Sequence, residues 1–210
     1  MINPSGANSG TANKGKSGMK RIVYIHVPRT AGNSILHAII NDKRVTIIQH
    51  NIRDVNYQYY ENLAQKDDYV ISFVRDPFQR ALSAYHYLKN GGNNIEDMVD
   101  SKKLGLDSMS FSEFVKTGLE KASKWQIHFI PQSQWLRGAI NLDIYKYERL
   151  SNDFNQMCEK YLIKVGTLPH INFSKYSKDK PEHCTTLNYK IIHNVYGEDY
   201  ENFGYFPKVF

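Results

Sequence analysis

Cysteine is scarce: Cys158 and Cys184 are the only two in 210 residues. They form neither a CxxC pair nor a disulfide framework, which excludes a redox motif and a small stapled fold and fits buried or free thiols in a reducing compartment. Long hydrophobic runs are lacking as well. No stretch approaches the ~20 apolar residues of a membrane helix, and the amino terminus has no hydrophobic signal core. No His/Cys cluster has zinc spacing. Acidic residues are the minority charge, 21 against 27 lysines and arginines, for a net charge of +6. That balance suits polyanionic ligands such as nucleotides, sulfated or carboxylated glycans, or nucleic acid, without choosing among them.

Aromatic residues are plentiful, 13 % of the chain with 15 tyrosines, and this content argues against disorder. The length fits one domain, since compact domains commonly hold ~100–200 residues. Residues 1–20 are rich in Gly, Ser, Asn and Lys and lack periodicity. They are expected to be a disordered tail or a remnant of expression, with 21–210 as a single domain. Gly10 to Ser17, GTANKGKS, fits the G-x-x-x-x-G-K-[ST] phosphate-loop pattern. A polar tail precedes it and a strand follows it, the wrong context for that motif, so the match is a coincidence.

The chain is organised around Arg21 to Ile40, RIVYIHVPRTAGNSILHAII. Ile22 to Val27 is β-branched and aromatic and predicts a buried strand. Pro28-Arg29-Thr30-Ala31-Gly32-Asn33-Ser34 follows, then helical apolar spacing at Ile35, Leu36, Ile39 and Ile40. A strand, a small-residue loop and a helix start aim backbone N–H groups and a helix dipole at an anion. Gly32 would let the backbone approach it, Thr30 and Ser34 would offer hydroxyls, and Arg29 a permanent charge. The alternative is an ordinary strand-to-helix turn with a surface arginine.

Val45 to Gln49 predicts a second strand, with His50 just past its carboxyl end, where ligands sit in open α/β sheets. An imidazole with a pKa near ~6.5 can take a proton there; a surface histidine is the other reading. Among the eight histidines, His128 and His170 are its rivals. Tyr57 to Ala64 predicts a helix, and Tyr69 to Val74 a strand ended by Arg75-Asp76-Pro77. Asp76 is a good N-cap and Pro77 a good first helical residue, with Phe78, Ala81, Leu82 and Tyr85 on one face. Arg75 then lies at a strand end and Ser83 on the next helix, both placed to reach one ligand. Asn90 to Ser110 predicts a long irregular insertion, a candidate acceptor-binding element. Phe111 to Ala122 predicts a helix capped by Ser110 or Ser112, Asp143 to Tyr147 a strand, Glu148 to Phe154 the lead into a helix through Tyr161, and Leu187 to Tyr205 helical structure. Trp125 and Trp135 are either core residues or stacking platforms.

HVPRTAGNSI resembles the HVPKTAGTS-type loop of sulfotransferases, above all the carbohydrate O-sulfotransferases of chondroitin and heparan chains. VRDPFQRALSAYHYL is similar to the V-R-[DN]-P-[FY]-x-R-x-x-S-[AG]-Y element of the same family, and LPHINFS, YERLSNDF and YGEDYENFGY resemble segments further along it. The resemblance implies a three-layer P-loop-type α/β fold with a central mainly parallel sheet flanked by helices. It implies 3′-phosphoadenosine 5′-phosphosulfate (PAPS) as co-substrate and no metal. By resemblance, Arg29, Thr30, Ala31, Gly32, Asn33 and Ser34 bind the 5′-phosphosulfate and Arg75 and Ser83 the 3′-phosphate, with Arg80 assisting or buttressing. Ser174, with Lys175 and Lys178, would lie near phosphate, and His50 would deprotonate the acceptor hydroxyl, most simply that of a carbohydrate.

Arg29 stands where the family usually has lysine. Guanidinium can neutralise a leaving phosphate but cannot release a proton to it. Golgi relatives carry a membrane anchor; its absence from this chain points to a cytoplasmic enzyme or to an anchor cut away. Two alternatives stay open: a nucleotide kinase on the same fold, and a non-catalytic nucleotide- or polyanion-binding protein.

Overall fold

A computed structural model of the chain describes residues 20–48, 67–165, 168 and 183–206. The expected helix Tyr57 to Ala64, together with His50, His170, Ser174, Lys175, Lys178 and the Gly10 to Ser17 pattern, lies outside the described residues. Four parallel strands, β1 (Ile22–Ile25), β2 (Val45–Ile48), β3 (Tyr69–Val74) and β4 (Leu142–Lys146), form a sheet in the order β2-β1-β3-β4. Register pairs Ile25 with both Ile48 and Ser72. β1 is buried along its whole length and β3 from Val70 onward, as the continuous apolar runs of a covered parallel sheet require. β1 ends two residues short of the expected Val27, which leaves His26 and Val27 in the loop beyond the strand.

Nine α-helices accompany the strands among the described residues: α1 (Gly32–Ile39), α2 (Pro77–Lys89), α3 (Ile95–Lys103), α4 (Phe111–Thr117), α5 (Leu119–Ala122), α6 (Gln132–Leu136), α7 (Leu150–Tyr161), α8 (Thr186–Val195) and α9 (Gly197–Phe203). Alternation along the strands sorts the core. Ile22, Tyr24, Ile71 and Phe73 meet α1 and α7 on one face. Val23, Ile25, Val70 and Val74 meet Trp135 and Leu136 of α6 and Phe203 of α9 on the other. A mainly helical cluster built on α2, α4 and α8 stands beside them, with Phe78 stacked on Tyr189. The result is the α/β architecture of a parallel sheet flanked by helices. Trp135 is fully buried core, whereas Trp125 is half-buried under the ammonium of Lys103.

The stretch from Asn90 to Ser110 is not irregular throughout. It contains α3, begun by Asn94, whose side chain accepts from Asp97 N at 2.7 Å. Glu96 and Asp97 in its first turn and Lys102 and Lys103 in its last complement the helix dipole. The helix expected over Phe111 to Ala122 is broken at Gly118 into α4 and α5, and α4 starts at a capping box between Ser110 and Glu113. The carboxyl-terminal helix is likewise divided at Tyr196. No helix among the described residues is long and apolar enough to cross a membrane.

Candidate active site

The chain leaves β1 toward β2 on one side and β3 toward β4 on the other, so the strand order reverses direction between the two central strands. In open α/β sheets ligands bind at such a switch point, outside the carboxyl ends of the strands. Two segments meet there: Pro28 to Ser34 after β1, and Arg75 after β3.

The loop after β1 is tightly wound. Arg29 and Ala31 both have positive φ, 72° and 66°, a conformation L residues rarely hold and one that clusters at functional sites. Ala31 is the N-cap of α1 and brings no side-chain bond to its first turn, which holds no acidic residue. Thr30 is buried and its hydroxyl donates to Val27 O at 2.8 Å, so that proton closes the loop. Gly32 meets a steric demand that the sequence did not reveal. Its φ is not positive; a Cβ there would lie 1.8 Å from His26 Nε2. The glycine makes room for the His26 imidazole, packed on the loop from the end of β1. Ser34 is buried and Asn33 exposed on the first turn.

Arg29 reaches across to the helix after β3, where its Nε and Nη2 donate to Ser83 Oγ, each at 3.3 Å. Its guanidinium lies over the Tyr87 ring, 4.2 Å from the centroid. Burial pushes Arg29 down to about 10, with Tyr87 opposing and the Arg75 cation reinforcing the fall. Arg75 in turn donates from Nη1 to Arg29 O at 3.4 Å and lies over the Tyr147 ring at 4.2 Å. Two arginines from separate motifs are thus held together, each on a tyrosine platform.

The supports are visible one layer back. The Gln132 side chain clips the Arg75 backbone from both sides, accepting from its N–H at 2.9 Å and donating to its C=O at 2.8 Å. Gln132 is fixed by Asp199, whose carboxylate accepts from the N–H groups of Gln132 and Ser133 at 2.8 and 2.7 Å. Burial pushes Asp199 up, and the Arg80 cation pulls it back. Arg80, 1 % exposed, donates to Pro28 O at 3.0 Å and Ile130 O at 2.8 Å. It buttresses the loop after β1. Glu148 accepts from Asp76 N at 2.7 Å and from the Tyr205 hydroxyl at 2.8 Å, bracing the turn after Arg75. Asp76 caps α2 by accepting from Gln79 N at 2.9 Å, as its sequence position predicts.

Beside Arg29 lies a buried chain that the sequence did not reveal. Tyr87 donates its hydroxyl to Asp97 at 2.6 Å, and His128 Nε2 lies 3.3 Å from the other oxygen of the same carboxylate. Burial pushes His128 below its ordinary value, with Asp97 opposing the fall. No local signal marks Asp97 as anything but a helix-start acid; His128 lies 31 residues away in the chain.

The model of the sulfotransferase family matches residues 17–206, and the chain belongs to that family. It is a transferase of the sulfotransferase class, and membership implies a sulfonate donor and an acceptor. No curated protein and no solved structure matches it.

Proposed function

We propose that the protein moves a sulfuryl group from PAPS to an acceptor hydroxyl, on a carbohydrate in the first instance. The observation that carries this reading is the meeting of Arg29, Arg75 and Ser83 at the carboxyl ends of the two central strands. In it, Arg29 and the Thr30 to Ser34 segment, with the uncapped first turn of α1, hold the 5′-phosphosulfate. Arg75 holds the 3′-phosphate with Ser83, which also receives the Arg29 side chain. A site furnished for two phosphate groups rejects a nucleotide that brings only one, because its cations are then left unmatched. His50 takes the acceptor proton, and Ser174 adds a phosphate contact.

In the transfer, the acceptor oxygen forms a bond to sulfur as the bond from sulfur to the bridging phosphate oxygen breaks, with the three atoms in line. The proton passes to His50, and the electron pair stays on the departing bisphosphate. Catalysis is then positioning plus neutralisation of charge on that phosphate. Arg29 is suited to the second task as a cation fixed by Ser83 and Tyr87. A carbohydrate acceptor is favoured by the character of the HVPRTAGNSI loop. A kinase reading is disfavoured because the loop between β1 and α1 carries no lysine and no G-x-x-x-x-G-K-[ST] pattern.

Incubation with PAPS and mixed glycan, phenol and peptide acceptors tests the proposal. Release of adenosine 3′,5′-bisphosphate with a sulfated glycan is expected. Binding without release identifies a non-catalytic binder, and preference for ATP with magnesium a kinase. If His50→Ala keeps near-parental turnover while Arg75→Ala abolishes nucleotide binding, His50 is not the base.

A further inference from the structure

The Arg29 side chain is fixed by two contacts of different kinds. Ser83 Oγ accepts from one edge of the guanidinium, Nε and Nη2 at 3.3 Å. The Tyr87 ring covers one face at 4.2 Å. A hydroxyl rotates freely and tolerates several donor positions, whereas a ring offers a plane. The orientation of Arg29 is therefore set by the orientation of Tyr87.

Tyr87 is itself immobilised. Its hydroxyl donates to Asp97 Oδ2 at 2.6 Å, an oxygen that also accepts from Asn93 N at 3.1 Å. Asp97 Oδ1 faces His128 Nε2 at 3.3 Å, and the His128 ring packs edge-on against the Tyr87 ring with centroids 4.8 Å apart. Gly92 completes the enclosure. With φ at +63°, it passes so close that a Cβ would stand 2.2 Å from the Asp97 Cβ. Asp97 and His128 are both buried, so the ring is held from its hydroxyl and from its edge by groups that exchange little with water.

We propose that Tyr87 is a positioning residue that aims Arg29 at the 5′-phosphate end of the nucleotide, and that Asp97 and His128 act on the donor through it. The inference deepens the sulfotransferase reading and rests on its assignment of Arg29 to that phosphate. The N-terminal turn of α3, placed in the stretch that otherwise looks like a peripheral insertion, is in this way part of the donor site. Removing the ring frees a long flexible side chain, and the loss falls on the ligand group that Arg29 meets and not on the rest of the nucleotide.

Two nucleotides separate this from a general loosening of the fold: adenosine 3′,5′-bisphosphate, and adenosine 3′-monophosphate, which lacks the 5′-phosphate. Titration calorimetry would be run on the parent, Tyr87→Leu and Tyr87→Phe, and on the same pair of substitutions in an Arg29→Ala background. Tyr87→Leu is expected to weaken the bisphosphate on the order of tenfold, the scale of a desolvated cation–ring contact, and the monophosphate less than about twofold. Tyr87→Phe keeps the ring and cuts its tie to Asp97, so a smaller loss with the same selectivity is expected, and it serves should the leucine variant not fold. In the Arg29→Ala background both losses should vanish. Equal weakening of both nucleotides, or losses that persist without Arg29, would overturn the proposal. Failure of the parent to bind either nucleotide is a different result: it removes the assignment of the donor itself and this inference with it.

Discussion

Replacing Arg80 with methionine separates support from recognition in the motif that follows β3. Arg80 is 1 % exposed and its Nε and Nη2 join Pro28 O to Ile130 O at 3.0 and 2.8 Å. A hydrogen bond from a charged donor contributes about 1.5–3 kcal/mol, so the two amount to roughly 3–6 kcal/mol before offsets. One offset is that methionine spares the burial of a cation, the same burial that pushes the Arg80 guanidinium pKa down. The opposing effect falls on Asp199, which is fully buried and loses the cation that holds its carboxyl down. Leaving one member of a buried charge arrangement alone costs about 3–5 kcal/mol. The net expectation is a loss of about 3 kcal/mol, or a fall in Tm of about 6–12 °C for a domain of this size. Urea unfolding and scanning calorimetry read it directly. Because the two charges interact, Arg80→Met with Asp199→Asn should destabilise less than the sum of the single changes, by about 1 kcal/mol. A loss below about 0.5 kcal/mol for Arg80→Met, or strict additivity of the pair, would refute the assignment of Arg80 as the buttress of the loop.

The buried chain beside Arg29 makes stability depend on pH in two windows. Burial pushes His128 down, with Asp97 opposing; the unfolded imidazole takes its proton near ~6.5, so stability is full above roughly pH 6.5 and falls below it. Asp97, which burial alone would push up, is held at about 2 by His128, Tyr87 and Asn93 N–H. Its contribution is complete above roughly pH 4 and is lost as pH falls toward about 2. Urea midpoints followed against pH should fall in both windows for the parent and only in the lower one for His128→Gln; an unchanged upper limb in that variant counts against the assignment. Gly32→Ala is expected to cost about 1–3 kcal/mol by crowding His26, with much of it restored by adding His26→Ala, as thermal unfolding of the single and double variants can check. Ser110→Ala should cost about 1 kcal/mol by opening the capping box of α4, and an unchanged urea midpoint would show that the box contributes nothing.

Local pattern carried much of this structure. β3 runs over the residues its apolar run marks, and Asp76 and Pro77 start α2 where their capping chemistry places them. The segments holding Arg29 and Arg75 were recognisable because strand, turn and helix signals are short-range. What escaped was set by distance along the chain. Asp97 meets His128 across 31 residues, and Asp199 meets Gln132 across 67; nothing near Asp97 or Asp199 announces either partner. The α3 helix was hidden by the glycines and asparagines before it, although Asn94 followed by Glu96 and Asp97 is a legible helix start. Gly32 also answers a demand that is not local, because a close approach to His26 leaves the same mark on a sequence as a close approach to an anion.

β1 and β3 lie side by side, and their loops carry Arg29 and Arg75 respectively. The backbone spacing of neighbouring strands, about 4.8 Å, is therefore the ruler that sets how far apart the two loops are anchored in the sheet. Drift in surface side chains cannot lengthen that ruler, and nothing short of unzipping the middle of the sheet can. If the proposed roles of Arg29 and Arg75 hold, the molecule that receives the cargo can be exchanged by reshaping outer loops, while the gauge that measures the carrier stays the same.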